Sequence, residues 1–263
     1  MQIELIISLA IVVFSVLGWK EKLLSLSGVL GASIVGITIY MSFSLEGLIL
    51  LGLFFATSSF WSVYKKRQKS FLKDKLEKGE QRDIYQVFAN GGIASILAIV
   101  YFFYPSQAIL ISFITSLAAA NADTWASEIG TLSRANPILL HNGKRVAKGT
   151  SGAVSPLGTF ASYIGALVIA LGGAILWYGQ LSLFQVITIT TIGFWGSIID
   201  TILGATIQVR YKCSICSIQT ERKYHCEQLT IKTGGFVSVN NDAVNLLSNG
   251  IACITVLIFI YIQ

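Results

Sequence analysis

Charge is what this sequence has least of. Only 12% of its 263 residues are Asp, Glu, Lys or Arg, against about 25% in an ordinary soluble domain. With 54% hydrophobic residues and a mean hydropathy of +0.69, a water-soluble globular class is excluded and an integral membrane protein is expected. Other absences narrow the reading. The opening run "MQIELIISLAIVVFSVLGW" has no basic segment and its first charge is Glu4, which predicts a retained helix rather than a cleaved signal. Neither end carries a lipidation motif. No G-x-x-x-x-G-K-[ST] occurs, so a P-loop nucleotide site of the usual kind is excluded.

What is there is a series of apolar runs. A spanning helix needs about 20 residues to cross a hydrocarbon core of roughly 30 Å. Eight windows meet this, at about 3–18, 23–41, 45–63, 84–104, 107–122, 153–177, 183–207 and 243–262. The expected fold is an all-α polytopic bundle of about eight transmembrane helices. It forms a single membrane domain over 1–263, with loops at about 64–83, 123–152 and 208–241. With eight spans, all 19 Lys and Arg residues fall on one face and the other face has none. The positive-inside rule makes the basic loops cytoplasmic, both termini outside and the cell membrane the expected location. The sequence pI near 9.1 follows from that topology and gives no support for nucleic-acid binding. Membrane lipids are the implied surroundings, and a homo-oligomer is left open.

The few acidic residues converge. "SLAAANADTWASEIG" brings Asn121, Asp123, Thr124 and Glu128 to the basic end of the fifth window. Asp200 lies near the same end of the seventh, and Asp242 at the start of the eighth. Asp200, Gly204 and Gln208 recur at i, i+4, i+8, and Asp242, Asn245 and Asn249 at i, i+3, i+7, each set on one helical face. Asp123 sits about 140° from Glu128 at 100° per residue. Either the helix unwinds there or the two carboxylates serve different partners. Ionisable groups inside spanning helices mark functional sites, whereas amides and hydroxyls also serve as interhelical struts.

Two basic loops face these acids. In "GKRVAKGTSGAVSPLG", Lys144, Arg145 and Lys148 run into Gly149 and Thr150 ahead of a helix, a pattern suited to a phosphate cradle or to an ordinary glycine-rich helix entry. In "GEQRDIYQVFANGG", Arg82 and Asn90 flank the entrance of the fourth window. Carboxylates able to hold Mg²⁺, opposite groups able to hold phosphates, are what phosphoryl transfer requires. The last loop carries Cys213, Cys216, His225 and Cys226, four ligand types suited to a structural Zn²⁺, with a redox pair or plain loop residues as alternatives. Cys253 is expected to pack within its helix, and His141 to be a polar loop residue.

The segments "GEQRDIYQVFANGG", "NADTWASEIG", "GKRVAKGTSGAVSPLGT", "DTILGATIQ" and "NNDAVNLLSN", in that order, resemble the membrane family catalogued as domain of unknown function 92, which includes plant phytyl-phosphate kinase. The resemblance covers nearly the whole chain. It implies an isoprenyl-phosphate kinase that uses CTP or another nucleoside triphosphate and makes an isoprenyl diphosphate. On that likeness Asp123, Glu128, Asp200 and Asp242 would be catalytic or Mg²⁺-binding. Arg82, Lys144, Arg145, Lys148, Gly149, Thr150, Asn121, Asn245 and Asn90 would bind substrate or nucleotide phosphates. A transporter or flippase of an anionic lipid, and nucleotidyl transfer to a lipid phosphate, are the competing readings.

Overall fold

The computed structural model describes residues 2–79, 81–140 and 142–262; His141 therefore lies outside the described residues. Seven helices among them are long and apolar enough to cross a membrane. They are α1 (Gln2–Lys20), α2 (Leu26–Val63), α3 (Ile84–Phe103), α4 (Gln107–Gly130), α5 (Pro156–Leu176), α6 (Leu183–Thr206) and α7 (Asn241–Ile262). Their starts are punctuated by polar side chains that accept from orphan backbone N–H groups. Ser25, Ser106 and Ser155 cap α2, α4 and α5, the last with Pro156 in the first turn. Asp83 with Gln86, and Ser182 with Gln185, form capping boxes on α3 and α6.

The second and third apolar windows are joined in α2, which is broken at Ser44 (φ 53°, ψ −148°). A Cβ placed on Gly36 would lie 3.9 Å from Leu48 Cδ2, twelve residues away. A straight helix would separate these residues by about 18 Å. The chain therefore doubles back at Ser44, and limbs 26–43 and 45–63 run antiparallel. An aromatic group packs beside the turn, with Phe43 4.1 Å from Phe113 and 4.4 Å from Tyr101 between ring centroids. The Ser44 backbone is in a region that only glycine occupies without strain, at a cost of about 1–3 kcal/mol. Ser44→Gly is expected to raise the unfolding midpoint in detergent, and Ser44→Val to lower it. A lower midpoint for the glycine variant would mean that the serine side chain holds the turn.

The centre of the bundle is α4, buried without interruption from Leu110 to Ala122. Lipid tails supply no hydrophobic drive between helices, so close approach of small residues must do the work. Gly193 and Gly196 of α6 accordingly face Ala118 and Ala119 of α4, and Gly165 of α5 faces the Asn121 carbonyl. The helix runs through "NADTWASEIG" to Gly130, eight residues beyond the expected end of its window at 122. It can do so because the polar side chains there find partners within the bundle or on the preceding turn, as Thr124 does by donating to the Ala120 carbonyl.

Besides the short turn 21–25, which bridges to Arg82 through Leu24, three connections gather at one end. A 3-10 segment, Lys66–Asp74, opens the first. A hairpin of β1 (Ile138–Leu139) and β2 (Ala153–Val154) shapes the second. The third holds β3 (Arg210–Lys212) between β4 (Gln219–Thr220) and β7 (Ile231–Gly234), all antiparallel, with a separate hairpin of β5 (Tyr224–His225) and β6 (Gln228–Leu229). Gly235 (φ +70°) lets this loop return against α6, since a Cβ there would meet the Gln208 carbonyl oxygen at 2.0 Å.

Candidate functional site

Residues 64–83 act as a strap across the polar end. Lys69 Nζ reaches Glu128 Oε2 of α4 at 2.6 Å and the Trp61 carbonyl at 2.6 Å. Lys75 Nζ donates to the Lys148 carbonyl at 2.6 Å. Lys78 Nζ bridges Asp83 (2.7 Å) and Asp242 of α7. The backbone of the strap accepts from the third connection: Thr220 Oγ1 donates to the Lys75 carbonyl at 2.9 Å and Arg222 Nε to that of Leu76 at 2.8 Å. Burial opposes the charge on Lys78, but its bonds to Asp242 and Asp83 outweigh burial and hold its pKa above the ordinary lysine value.

Under the strap the carboxyl groups of Asp123 and Asp200 face each other closely enough to interact, bringing α4 and α6 together. Asp200 Oδ2 also accepts from Ser248 Oγ at 2.9 Å. With its amide turned to satisfy its neighbours, Asn245 donates to the same oxygen at 2.9 Å. Three helices thus meet at one carboxylate. Asp200 is buried and Asp123 half-buried. Two acidic groups in contact at such a place need a proton or a cation between them. Among the described residues the groups around this pair are carboxylate, hydroxyl and amide, a set that suits a hard cation such as Mg²⁺.

Glu128 and Asp242 are engaged differently. Because α4 stays helical, Glu128 points away from Asp123 and meets Lys69 and Ser62 Oγ (2.8 Å). Asp242 is held by Lys78. Arg82 donates from Nη1 to Ser59 Oγ at 2.8 Å and stacks 5.3 Å over the Phe55 ring; burial opposes its charge, which the Glu128 carboxylate supports. Asn121 is fully buried, accepts from Thr57 and Ser58 and donates to the Gly165 carbonyl at 2.8 Å, so its bonding is spent on helix packing. Asn90 donates to the Gln86 carbonyl of its own helix, and Asn249 to the Ala89 carbonyl. Lys144 and Arg145 are exposed near the tip of the β1–β2 hairpin. Gly149 and Gly152 take left-handed backbone conformations. At Gly152 a Cβ would lie 2.4 Å from Ala205 Cα, so this loop is pressed onto the end of α6. Thr150 Oγ1 donates to the Ala147 carbonyl at 2.6 Å.

Glu221, which sequence reasoning passed over, belongs to the same electrostatic group. Gln208 Nε2 donates to it at 2.8 Å, while Gln208 Oε1 accepts from Ser151 Oγ at 2.8 Å. Glu221 interacts electrostatically with Asp200 and Asp242. Burial pushes its pKa up to about 7 from 4.5, against the opposing bonds from the Glu77 backbone and Gln208. Between those values the folded state holds a proton that the unfolded state has lost, so stability falls as pH rises through this window. Stability in metal-free buffer is expected to drop from pH 5 to 7.5 more steeply for the wild type than for Glu221→Gln. Parallel profiles for the two proteins would remove Glu221 as the titrating group.

Next to this group the two hairpins of the third connection oppose their turns. Cys213, Cys216, His225 and Cys226 place their ligand atoms within 4.8 Å of one another. On the opposite flank, a groove of about 550 Å³ with mostly apolar walls lies beside Val154, Pro156, Phe160, Tyr163 and Phe194. Phe194 precedes Asp200 by six residues, or about 9 Å along α6.

Residues 9–253 match the family described as Integral membrane protein DUF92. The chain belongs to that family. It is 31% identical to Protein PGR of Arabidopsis thaliana over 255 residues, covering 88% of this chain and 86% of the relative. It is 34% identical to the uncharacterized membrane protein MJ0933 of Methanocaldococcus jannaschii over 209 residues, covering 78% and 84% respectively. A more distant relative is Protein VTE6, chloroplastic, of Arabidopsis thaliana, 22% identical over 240 residues, covering 89% and 65%. No solved structure matches the chain. In this DUF92 protein the motifs "NADTWASEIG", "DTILGATIQ" and "NNDAVNLLSN" supply the meeting point of α4, α6 and α7. Ser248 could have been found from sequence, being three residues beyond Asn245 on the polar face of α7. Lys69, Lys78 and Glu221 carry no local signal, since only the folded strap and third connection bring them in.

Proposed function

We propose that this protein is a membrane-embedded isoprenyl-phosphate kinase working at the cytosolic leaflet, with its basic loops in the cytoplasm. The observation that carries the reading is the Asp123–Asp200 pair, placed at the polar end of the bundle beneath a lysine-bearing strap. The apolar groove along α5 and α6 offers room for an isoprenoid tail entering from the lipid. In the reaction, an oxygen of the lipid monophosphate attacks the γ-phosphorus of CTP or a related nucleotide. The bond from that phosphorus to the β–γ bridging oxygen breaks, and the nucleoside diphosphate leaves. The acceptor is already an anion, so positioning and charge neutralisation carry most of the rate.

Asp123 and Asp200 hold Mg²⁺ in this reading, which supplies charge neutralisation to the phosphates. Glu221 and Asp242 complete the acidic rim, and Lys78 keeps Asp242 neutralised. Lys144 and Arg145, exposed on their hairpin, bind nucleotide phosphates together with Lys148, Gly149 and Thr150. Arg82 steadies Glu128 and the entrance of α3.

The test is transfer of labelled γ-phosphate from CTP or ATP to farnesyl, geranylgeranyl and phytyl monophosphates by purified protein with Mg²⁺. Labelled isoprenyl diphosphate is the expected product. Label appearing only when it starts on the α-phosphate would replace the kinase with nucleotidyl transfer. No product with any pair, together with lipid movement in vesicles, would replace it with transport. Within this assay, Lys144→Ala with Arg145→Ala is expected to raise the nucleotide KM about tenfold with little change in kcat, as loss of uniform binding does. An unchanged KM would remove that hairpin from the nucleotide site.

A further inference from the structure

We infer that Cys213, Cys216, His225 and Cys226 form a closed structural Zn²⁺ site that locks the third connection onto the strap. The four ligand atoms already lie within 4.8 Å of one another, with Cys216 Sγ 3.4 Å and Cys226 Sγ 3.2 Å from His225 Nδ1. Three sulfurs and one imidazole are a common tetrahedral zinc set, and four protein ligands leave no open position for catalysis.

The backbone around the four residues turns tightly. Cys213 and Cys216 stand at the turn joining β3 to β4, where the Ser217 N–H donates to the Cys213 carbonyl at 3.1 Å and the Cys213 thiol lies 3.8 Å from the His225 carbonyl. The opposing turn joins β5 to β6, with Cys226 (φ 50°) and Glu227 (φ 61°) both left-handed, and Ser217 (φ 59°) is left-handed beside the first. Non-glycine residues are strained in this region and persist only where something over-determines the turn. All four cysteines of the chain are free thiols.

Between the two ligand pairs, residues 217–224 carry the contacts to the strap. Thr220 Oγ1 and the Glu221 N–H both reach the Lys75 carbonyl, and Arg222 Nε reaches that of Leu76. The metal thereby fixes the segment that presents Glu221 to the acidic group. The site itself stands whatever reaction the acids perform.

The experiment is elemental analysis of the full-length protein, purified in detergent from zinc-replete cells, with Asp123→Asn as a control. About one zinc per chain is expected in both. Cys216→Ser with Cys226→Ser is expected to lose it and to become open to proteolysis between residues 212 and 234. Should that variant fail to accumulate, titrating wild-type thiols with a mercurial must release zinc in step with their modification, and Co²⁺ in its place must give the absorption of a tetrahedral thiolate site. Folded wild type without zinc, with iron instead, or lighter by the two hydrogens of a disulfide, overturns the site. These readouts require no kinase assay, so they stand or fall apart from the proposed reaction.

Discussion

Asp200→Asn is expected to lower phosphoryl transfer by about 10²–10³-fold, the usual size of losing one preorganised electrostatic group at a reacting phosphate or carbonyl. Its asparagine remains able to bond Asp123 and Ser248, so the α4–α6–α7 junction should survive. The effect should therefore appear in kcat and in the Mg²⁺ concentration needed for half-maximal rate, with the unfolding midpoint little changed. Asp123→Asn should behave in the same way. The two together should cost scarcely more than either alone, because each already breaks a unit that acts jointly. Single-turnover rates over a range of Mg²⁺ concentrations make the measurement. Activity within twofold of wild type in a folded Asp200 variant would leave the pair as a packing device and end the kinase reading for these residues.

Lys69→Met is expected to produce the largest loss of stability at the polar end. Lys69 is 6% exposed and its partner Glu128 is 24% exposed. Removing one member of a buried pair costs about 3–5 kcal/mol, and Glu128 would be left with its Ser62 bond and its interaction with Arg82. The methionine fills the space of the lysine stem, so a cavity adds little. Adding Glu128→Gln removes the stranded charge and should recover most of the loss, whereas a fault of packing alone would stay equally severe in the double variant. Denaturant unfolding in mixed micelles distinguishes the two. Lys75→Met loses a bond to a neutral group, the Lys148 carbonyl, and should cost far less.

The contrast between these residues shows what a sequence can disclose. Periodicity and hydropathy are local, and so the windows at 84–104, 183–207 and 243–262 lie within two residues of α3, α6 and α7. The fifth window was drawn short because its polar residues suggested an exit from the membrane. They are instead solvated by the neighbouring helices. That Asp123, Asp200 and Asp242 share one end of the bundle was readable from the topology alone. That Asp123 faces Asp200 while Glu128 bonds Lys69 was not, since helix rotation and the path of the strap decide it. Glu221 was invisible for the same reason. Nothing in "QTERKYHC" says that its carboxylate turns inward, which depends on two hairpins and the buried Gln208.

The reversal at Ser44 has a consequence for parity. Were α2 one straight rod, the chain would cross an odd number of times, and its first and last described residues would emerge on opposite sides. A single residue restores an even count. Every connection after residue 44 owes its side to that one pair of dihedral angles, including the strap, the hairpin and the cysteine turns. An arrangement in which residues from α4, α6 and α7 meet lysines from the first connection is thus decided some 80 residues before the first of those acids, at a position that touches none of them.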